Sequence, residues 1–286
     1  MERSALQKLS KEWIFPGNRL TNTILAAMTH AFRAPVIGLT TQGRNDRDEF
    51  SLYTSYVDAV RRAGGVPILL PSGEAQAERV LHLVDGLVFT GGGDIHPECY
   101  GGMRHPEMYK LDDERDAFEL ELARLALQSN VSILGICRGM QILSVVSGTG
   151  LIPHVPDEFG FEVIHREVPR LPTRHCVSVV PDSRLSQIVN WAEMEIVSWH
   201  HQAIASVPEG WTPAAYAADG LVEALEHTHH PWAIAVQWHP EMSAAEDPLQ
   251  QALFNAFVQA AATVDRVSPI TDARHVPQPE PERRSA

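Results

Sequence analysis

The stretch VSILGICRGMQILSVV, residues Val131–Val146, decides the fold of this chain. Its first six residues, up to Ile136, are mostly apolar and predict a buried strand, whereas the apolar positions after Gly139 recur with helical spacing. The chain must turn sharply between the two segments, and Cys137 lies at that turn. The stretch therefore predicts a strand followed directly by a helix, which is the repeating unit of an α/β sheet.

Cys137 has the surroundings of a nucleophile. It lies between Gly135 and Gly139 in the pattern Gly-Ile-Cys-Arg-Gly, the cysteine counterpart of the Gly-x-Ser-x-Gly elbow. Small flanking residues permit a strained turn that presents the nucleophile above the sheet. The positive end of the helix dipole favours a thiolate there, and the thiolate is the form that attacks carbonyl groups. The alternative is a cysteine buried in the core.

A cysteine nucleophile needs a general base, and three His-Pro-Glu tripeptides begin at His96, His105 and His239. The first two occur among proline and glycine residues with no apolar strand leading into them, which is typical of loops. His239 follows the apolar run WAIAVQW, so it lies at the carboxyl end of a predicted strand, where ligand sites of α/β sheets gather. Glu241 can orient its imidazole. We therefore predict a catalytic triad of Cys137, His239 and Glu241, with a surface turn as the alternative.

The rest of the chain extends this pattern into a complete α/β fold. Apolar strands alternate with helices from Pro35 to Ile136, which predicts an open, mostly parallel sheet flanked by helices on both faces. Between Cys176 and Glu226 the apolar segments are short, strand-like and separated by turn residues, which indicates an antiparallel extension; they are CVSVV, MEIVS, AIASV, AAYAA and LVEALE. A strand over WAIAVQW and a closing helix from residue 248 to 263 complete the prediction.

We expect residues 35–263 to form one catalytic domain, with 1–34 as an N-terminal extension and 264–286 as a disordered tail rich in proline and charge. The first segment lacks the basic start and sustained apolar run of a signal peptide. No stretch reaches the roughly 18 apolar residues of a membrane span. These features predict a cytoplasmic protein that does not contact a membrane.

The net charge, the cysteines and the spacing of the histidines limit the partners, the compartment and the metal sites that this chain is expected to have. A net charge of −13 disfavours nucleic acid, because phosphates require a basic surface. The three cysteines show no paired framework, which suits a reducing compartment. No Cys-x-x-Cys or His-Glu-x-x-His spacing accompanies the histidines, so no metal site is predicted. The histidines considered for zinc are His200 and His201, and His227, His229 and His230, of which the last two are expected in the turn before a proline.

The motifs GICRGMQ, VQWHPE and FTGGGD together resemble the class I glutamine amidotransferase superfamily. Within it, the chain is similar to the stand-alone γ-glutamyl-γ-aminobutyrate hydrolases, peptidase family C26. The resemblance implies a flavodoxin-like fold and hydrolysis of a small-molecule γ-glutamyl amide through a cysteine thioester, with no cofactor. It extends in the expected order from about Pro35 to Ala262, through PVIGLTTQ, YVDAVRRAGGVPILLP, DGLVFTGGGDIHPECYG, RDAFELELA, SWHHQAI, DGLVEALE and PWAIAVQWHPE.

The resemblance also implies roles for residues around the triad. Backbone N–H groups of Arg138 and of a glycine in the FTGGGD turn would form the oxyanion hole, with Gly92 favoured and Gly93 as the neighbouring register. Gln141 would contact the glutamyl group, or else be a solvated helix residue. His201 would line the same pocket, or else be a packing histidine.

The chain departs from the family pattern after the elbow. In place of the usual Asn and the run Gly-Gly-Thr-Leu-x-Gln, it has Ser144 and the sequence SGTGLIPH at residues 147–154. This puts the shape of the pocket floor in question, and γ-aminobutyrate, a polyamine derivative and an aromatic or alkyl amine all remain open as leaving groups. Two rival functions are a glutaminase subunit that supplies ammonia to a synthase partner and a catalytically silent binding protein. The oligomeric state is open, homo-oligomers included.

Overall fold

The computed structural model describes residues 34–263 of the 286-residue chain. The predicted N-terminal extension, except Ala34, and the predicted tail lie outside these residues. The strands are β1 Val36–Thr40, β2 Val66–Leu70, β3 Gly86–Phe89, β4 Ser132–Ile136, β5 Leu151–Ile152, β6 Thr173–Val179, β7 Glu193–Ser198, β8 Ala203–Ile204, β9 Trp211–Ala217, β10 Val222–His227 and β11 Ala233–Val236. The helices are α1 Thr54–Arg62, α2 Ala77–Leu81, α3 Asp113–Leu127, α4 Arg138–Val146, α5 Val155–Phe159, α6 Arg184–Val189 and α7 Pro248–Ala262, with 3-10 turns at Pro97–Tyr100 and Pro240–Met242.

Nine of these strands form one mixed sheet in the order β2-β1-β3-β4-β11-β10-β9-β6-β7. The first five strands are parallel to one another, and each strand from β10 onward is antiparallel to the one before it in this order. The predicted mostly parallel sheet with an antiparallel extension is therefore confirmed. None of the helices within residues 34–263 has both the length and the apolar composition needed to cross a membrane.

Helices cover both faces of the parallel half, which explains why β3, β4 and β11 are fully buried and, apart from Ser132 at the start of β4, without polar side chains. On one face, Tyr56 of α1 and Phe254 of α7 belong to one apolar cluster. On the other, Phe118 of α3 and Met140 of α4 belong to a second. A strand buried on both sides has no polar face, so these segments lack the alternation of an exposed strand.

The register of the central strands brings the predicted site together. β4 lies between β3 and β11, and all three run parallel. Ile136, the last residue of β4, pairs with Val236 of β11. The residues that follow these strands, the glycine turn after β3, Cys137 after β4 and His239 shortly after β11, are therefore at one edge of the sheet.

The structure differs from the sequence prediction beyond β5. The segment AIASV was predicted as a strand of the extension, but only Ala203–Ile204 is a strand, and it pairs with β5 outside the main sheet. Helix α6 was not predicted. Ser183 caps it by accepting from the Ser186 N–H at 3.0 Å, and Leu185 and Val189 are buried four residues apart. A helix of six residues has too few periodic positions to be recognised among turns.

Candidate active site

Cys137 lies at the turn between β4 and α4, and only 5% of its surface is exposed. Its φ of 52° and ψ of −106° are a backbone conformation that residues with a Cβ rarely adopt. The Cys137 N–H donates to the Val236 carbonyl of β11 at 2.8 Å, which holds the turn in place. Strain of this kind persists only where the surrounding structure enforces it, and it concentrates at functional sites.

The two glycines of the elbow, Gly135 and Gly139, allow helix α4 to pack closely against strands β3 and β4. A Cβ on Gly139 would lie 2.0 Å from the carbonyl oxygen of Phe89 in β3. A Cβ on Gly135 would lie 2.7 Å from Leu143 and 3.0 Å from the backbone of Gly139. The strained φ belongs to Cys137 itself, and the glycines allow α4 to approach the sheet closely enough to impose it.

His239 and Glu241 form a buried pair beside the cysteine. His239 Nδ1 lies 2.7 Å from Glu241 Oε1, and both side chains are almost entirely buried. A carboxylate only accepts, so Nδ1 carries the proton of this bond. Burial lowers the pKa of His239, but the charges of the Glu241 carboxylate and the Cys137 thiolate outweigh burial and raise that pKa well above its usual value. The arrangement favours an imidazolium beside the Cys137 sulfur.

Tyr56 is a member of this site that the sequence analysis did not identify. Its hydroxyl accepts from the Gly91 N–H at 3.0 Å and lies close enough to Glu241 to interact with it. Burial, together with the negative charges of Glu241 and Cys137, raises the pKa of Tyr56 well above its usual value, so the phenol stays neutral and donates. A tyrosine on a buried helix face needs a polar partner, but the sequence does not show which group it will reach.

Arg138 has two separate functions in the structure. Its backbone N–H belongs to the first residue of α4, where no acceptor within the helix is available. Its guanidinium is buried and forms ion pairs with Asp116 and Glu119 of α3. A second buried guanidinium, that of Arg115, donates to Glu119 at 2.9 Å. This buried quartet of two arginines and two carboxylates fixes the start of α4 against α3.

The glycine turn after β3 is held by the same quartet. Arg115 donates to the carbonyl of Gly91 at 3.0 Å, and a Cβ on Gly92 would lie 2.1 Å from the Arg115 guanidinium. A Cβ on Gly93 would lie 2.4 Å from the carbonyl of Lys110. Within residues 34–263, neither the Gly92 nor the Gly93 N–H donates to a backbone or side-chain acceptor. Both are available as donors at the sheet edge.

Gln141 and His201 are both buried and bonded to protein groups. Gln141 Nε2 donates to the Gln202 carbonyl at 3.1 Å and to Gln237 Oε1 at 3.3 Å, so the alternative of a solvated helix residue is wrong. His201 Nε2 lies 3.0 Å from the Asp94 carboxylate. The Gln141 amide nitrogen thus joins the helix after the nucleophile to the segment that carries His201.

Two neighbouring cavities open at this edge of the sheet. The smaller, about 70 Å³, is lined by the glycine turn, Tyr56, Tyr109 and His239. The larger, about 760 Å³, is lined by residues that include His201 and Arg166. Tyr109 separates them, because its ring lies against His201 and under the Arg166 guanidinium. Burial and nearby negative charge raise the pKa of Tyr109 to about 12, so its hydroxyl is protonated.

The other two His-Pro-Glu histidines have partners elsewhere. His96 caps the 3-10 turn that follows it and lies 2.9 Å from Arg104, and His105 lies 3.1 Å from Asp157. Among the histidines that were considered for zinc, His229 and His230 lie in the turn before a proline. A different group of side chains that can bind a metal, His165, His175 and Glu223, brings ligand atoms within 4.8 Å of one another.

Comparisons with known proteins agree with this geometry. The family model of peptidase C26 matches residues 35–241. A "putative glutamine amidotransferase" of Mycobacterium tuberculosis is 39% identical over 237 residues, which cover 80% of this chain and 75% of the relative. The γ-glutamyl-γ-aminobutyrate hydrolase PuuD of Escherichia coli is 31% identical over 221 residues, 73% of this chain and 86% of the relative.

A solved structure from Thermoplasma acidophilum, described as a "putative gmp synthase subunit a protein", has the same fold. Its TM-score is 0.58 at 20% sequence identity, and the match covers 80% of this chain and 95% of that chain. The sheet order, the strained elbow and the family match over most of the chain lead to one assignment. The chain belongs to the peptidase C26 family of hydrolases, within the glutamine amidotransferase-like proteins.

Proposed function

We propose that this protein hydrolyses the γ-glutamyl amide bond of a γ-glutamyl amine or amino acid, releasing glutamate and the free amine. The observation that carries the proposal is the strained, buried Cys137 in contact with a histidine whose pKa is raised by an adjacent carboxylate. A thiolate with a protonated imidazole beside it is ready for attack on an amide carbonyl.

In the first step, the Cys137 thiolate attacks the γ-carbonyl carbon and forms a tetrahedral intermediate. The carbonyl oxygen gains the negative charge, and the N–H groups of Arg138 and Gly92 stabilise it, with Gly93 as the neighbouring donor. The His239 imidazolium then protonates the nitrogen as the C–N bond breaks, which leaves a thioester on the cysteine and a free amine. Glu241 keeps the imidazole oriented throughout.

In the second step, water replaces the amine. His239, now neutral, takes a proton from water as the oxygen attacks the thioester carbonyl. Collapse of the second tetrahedral intermediate breaks the C–S bond, so glutamate leaves and the thiolate and imidazolium are regenerated. The chain's own groups supply every proton transfer in this cycle.

The cavities support a substrate larger than glutamine. Ammonia needs almost no space, whereas the cavity beside the site measures about 760 Å³, within the range that holds small organic ligands. The PuuD relative is named for a leaving group with a four-carbon chain, γ-aminobutyrate. Both observations favour a γ-glutamyl amide hydrolase over a glutaminase subunit that passes ammonia to a synthase.

We assign Arg166 to recognition of a substrate carboxylate. Its guanidinium lies over the Tyr109 ring, and its Nη1 is buried without a hydrogen-bonding partner among the described residues. The nearest carboxylate, Glu107, lies 3.7 Å away from Nη2. A buried guanidinium with a free N–H at the wall of a cavity fits a planar carboxylate.

The decisive experiment compares Cys137→Ala with Cys99→Ala on a panel of γ-glutamyl amides with different amines. We expect Cys137→Ala to abolish release of glutamate while circular dichroism stays unchanged, and Cys99→Ala, at an exposed position, to keep near-normal activity. A glutamine-like electrophile should label the wild type and not Cys137→Ala. Substantial hydrolysis by Cys137→Ala, or activity on glutamine alone, would refute the proposal.

A further inference from the structure

Four buried side chains converge in the antiparallel part of the fold, in what we call the histidine cluster: His165 between α5 and β6, His175 on β6, His200 after β7 and Glu223 on β10. Three ring nitrogens surround one carboxylate oxygen, Glu223 Oε1: His165 Nδ1 at 3.1 Å, His200 Nε2 at 3.4 Å and His175 Nε2 at 3.6 Å. None of these atoms makes a hydrogen bond within residues 34–263, although all are buried. Buried polar atoms without partners are rare, and each calls for an explanation.

The opposite ring nitrogen of each histidine is already engaged. His165 Nε2 lies 2.8 Å from the Asp219 carboxylate, His200 Nδ1 lies 3.0 Å from a backbone carbonyl, and His175 Nδ1 lies 3.1 Å from another. Carboxylates and carbonyls only accept, so each of these nitrogens carries the proton. In the neutral histidines, the ring nitrogens that face Glu223 therefore carry a lone pair and no proton. Lone pairs converging on a carboxylate repel it unless positive charge lies between them, either a metal ion or a proton on an imidazole such as His165, and zinc uptake distinguishes the two.

We propose that the histidine cluster binds one zinc ion through His165, His175, His200 and Glu223. Zinc bonds of about 2.0–2.2 Å place neighbouring ligand atoms of a tetrahedron about 3.3–3.5 Å apart, which is close to the separations around Glu223. The ligand atoms of His165, His175 and Glu223 lie within 4.8 Å of one another, so rotations of the imidazoles bring them onto one ion.

The chemistry of the surroundings fits the same ion. Imidazole nitrogens and carboxylate oxygens are both established zinc ligands, and imidazole also suits this metal among the divalent ions. A ligating histidine that donates its other N–H to a carboxylate or a carbonyl is the usual outer arrangement of zinc sites, and all three histidines have it. Four protein ligands leave no open position, so this ion stabilises the fold rather than takes part in chemistry.

The ion would join segments that the sheet alone does not tie together. His165 precedes Arg166 in the segment between α5 and β6, which forms part of the wall of the larger cavity. Zinc would fix that wall, and with it the Arg166 guanidinium, against β6 and β10. The site itself stands on the histidine cluster and does not depend on the proposed reaction.

The test measures zinc directly. The full-length wild type is stripped with a chelator, reloaded with zinc and assayed by elemental analysis, and cobalt is titrated as a spectroscopic probe. His175→Asn and Glu223→Gln each change a ligand, and Asp219→Asn removes the negative charge that accepts from His165 without changing a ligand. His229→Asn is the matched control, an exposed histidine outside the cluster. Circular dichroism establishes that each variant is folded.

We expect one zinc per wild-type chain, a cobalt absorption band typical of tetrahedral coordination, and a thermal midpoint that rises on reloading. The same results are expected for His229→Asn. His175→Asn and Glu223→Gln should bind at least about a hundredfold more weakly, and Asp219→Asn about tenfold to a hundredfold more weakly. If the wild type takes up no zinc, or if the ligand variants bind as tightly as His229→Asn, the site is overturned. If the ligand variants do not fold, the zinc content of the wild type and the zinc affinity of Asp219→Asn decide whether the site exists.

Discussion

At the scale of single residues, the reactivity of the site depends on where Cys137 is held. Its positive φ is imposed by the close approach of α4 to β3, and the first turn of α4 supplies N–H groups around it. Next to it, His239 is buried between a carboxylate and a thiol. Geometry and charge therefore act on the same sulfur atom, which is why small changes here should have large effects.

The three His-Pro-Glu histidines provide an internal comparison. We predict that His239→Asn lowers kcat by at least about a thousandfold, the scale of losing a triad base. His96→Asn and His105→Asn should lower kcat much less, because their side chains contact Arg104 and Asp157 rather than the cysteine. Steady-state kinetics of the three variants check this. Equal losses in all three would show that position at a strand end does not identify the base.

The pH profile should depend on Glu241. The active form carries an imidazolium, so activity on the alkaline side is lost as pH rises through the raised pKa of His239. Glu241→Gln removes a charge that raises this pKa, so the alkaline limb of kcat/KM should move to lower pH. Glu195→Gln, at an exposed ion pair on β7, should leave the limb unchanged. An unmoved limb in Glu241→Gln would contradict the imidazolium assignment.

At the scale of elements, α3 and α4 are joined by a buried quartet of charges. Arg115, Asp116 and Glu119 of α3 meet Arg138 of α4, and the same Arg115 supports the glycine turn after β3. The helix that follows Cys137 and the glycine turn after β3 are therefore positioned by one network. Its two positive and two negative charges balance, which makes burial tolerable.

Breaking this quartet should be costly. Glu119→Gln leaves two buried guanidinium groups with one carboxylate, and we predict a loss of about 3–5 kcal/mol in the free energy of unfolding. Glu121→Gln, which breaks an exposed pair on the same helix, should cost less than about 1 kcal/mol. Denaturant unfolding of both variants measures the difference. Similar small losses would mean that the quartet does not hold α4 in place.

At the scale of the whole molecule, the candidate active site lies at the carboxyl ends of the parallel strands β3, β4 and β11, of which β11 adjoins the antiparallel half. The parallel half supplies the cysteine, the glycine turn and the helix dipole, and the segment between β5 and β6, which leads into the antiparallel half, supplies most of the wall of the larger cavity. In the proposed reaction, the catalytic residues and the wall of the larger cavity thus belong to different parts of the fold. We expect sequence changes in the segment between β5 and β6 to alter the preferred substrate without affecting the elbow.

The proposed contact between Arg166 and a substrate carboxylate predicts a change in KM. Arg166→Met should raise KM by at least about tenfold for γ-glutamyl amides and change kcat less, because a charged hydrogen bond contributes about 1.5–3 kcal/mol to binding. Arg174→Met is the control, since that residue also lines the cavity but is exposed and paired with Glu195. Kinetics on amides with charged and apolar amines distinguish binding of the glutamyl half of the substrate from binding of the amine half. A loss confined to carboxylate-bearing amines would mean that Arg166 binds the amine half, and an unchanged KM would contradict its role.

The sequence by itself determined the architecture and the location of the elbow. Apolar runs with a clear period specify buried strands and helices, and Cys137 and His239 follow two such runs. Because parallel strands end at one edge, their residues could be placed together without coordinates, and the structure shows those strands as neighbours.

Only the tertiary structure decided the rest. The buried quartet, the position of Tyr56 and the histidine cluster join residues from distant segments, and no local period records which way their side chains point. His165, His175, His200 and Glu223 are spread over 59 positions of the chain, so no ligand spacing could reveal them. The hydrophobic period of a strand or helix is set by residues close together in sequence. A polar cluster forms only when tertiary packing brings side chains from separate segments together.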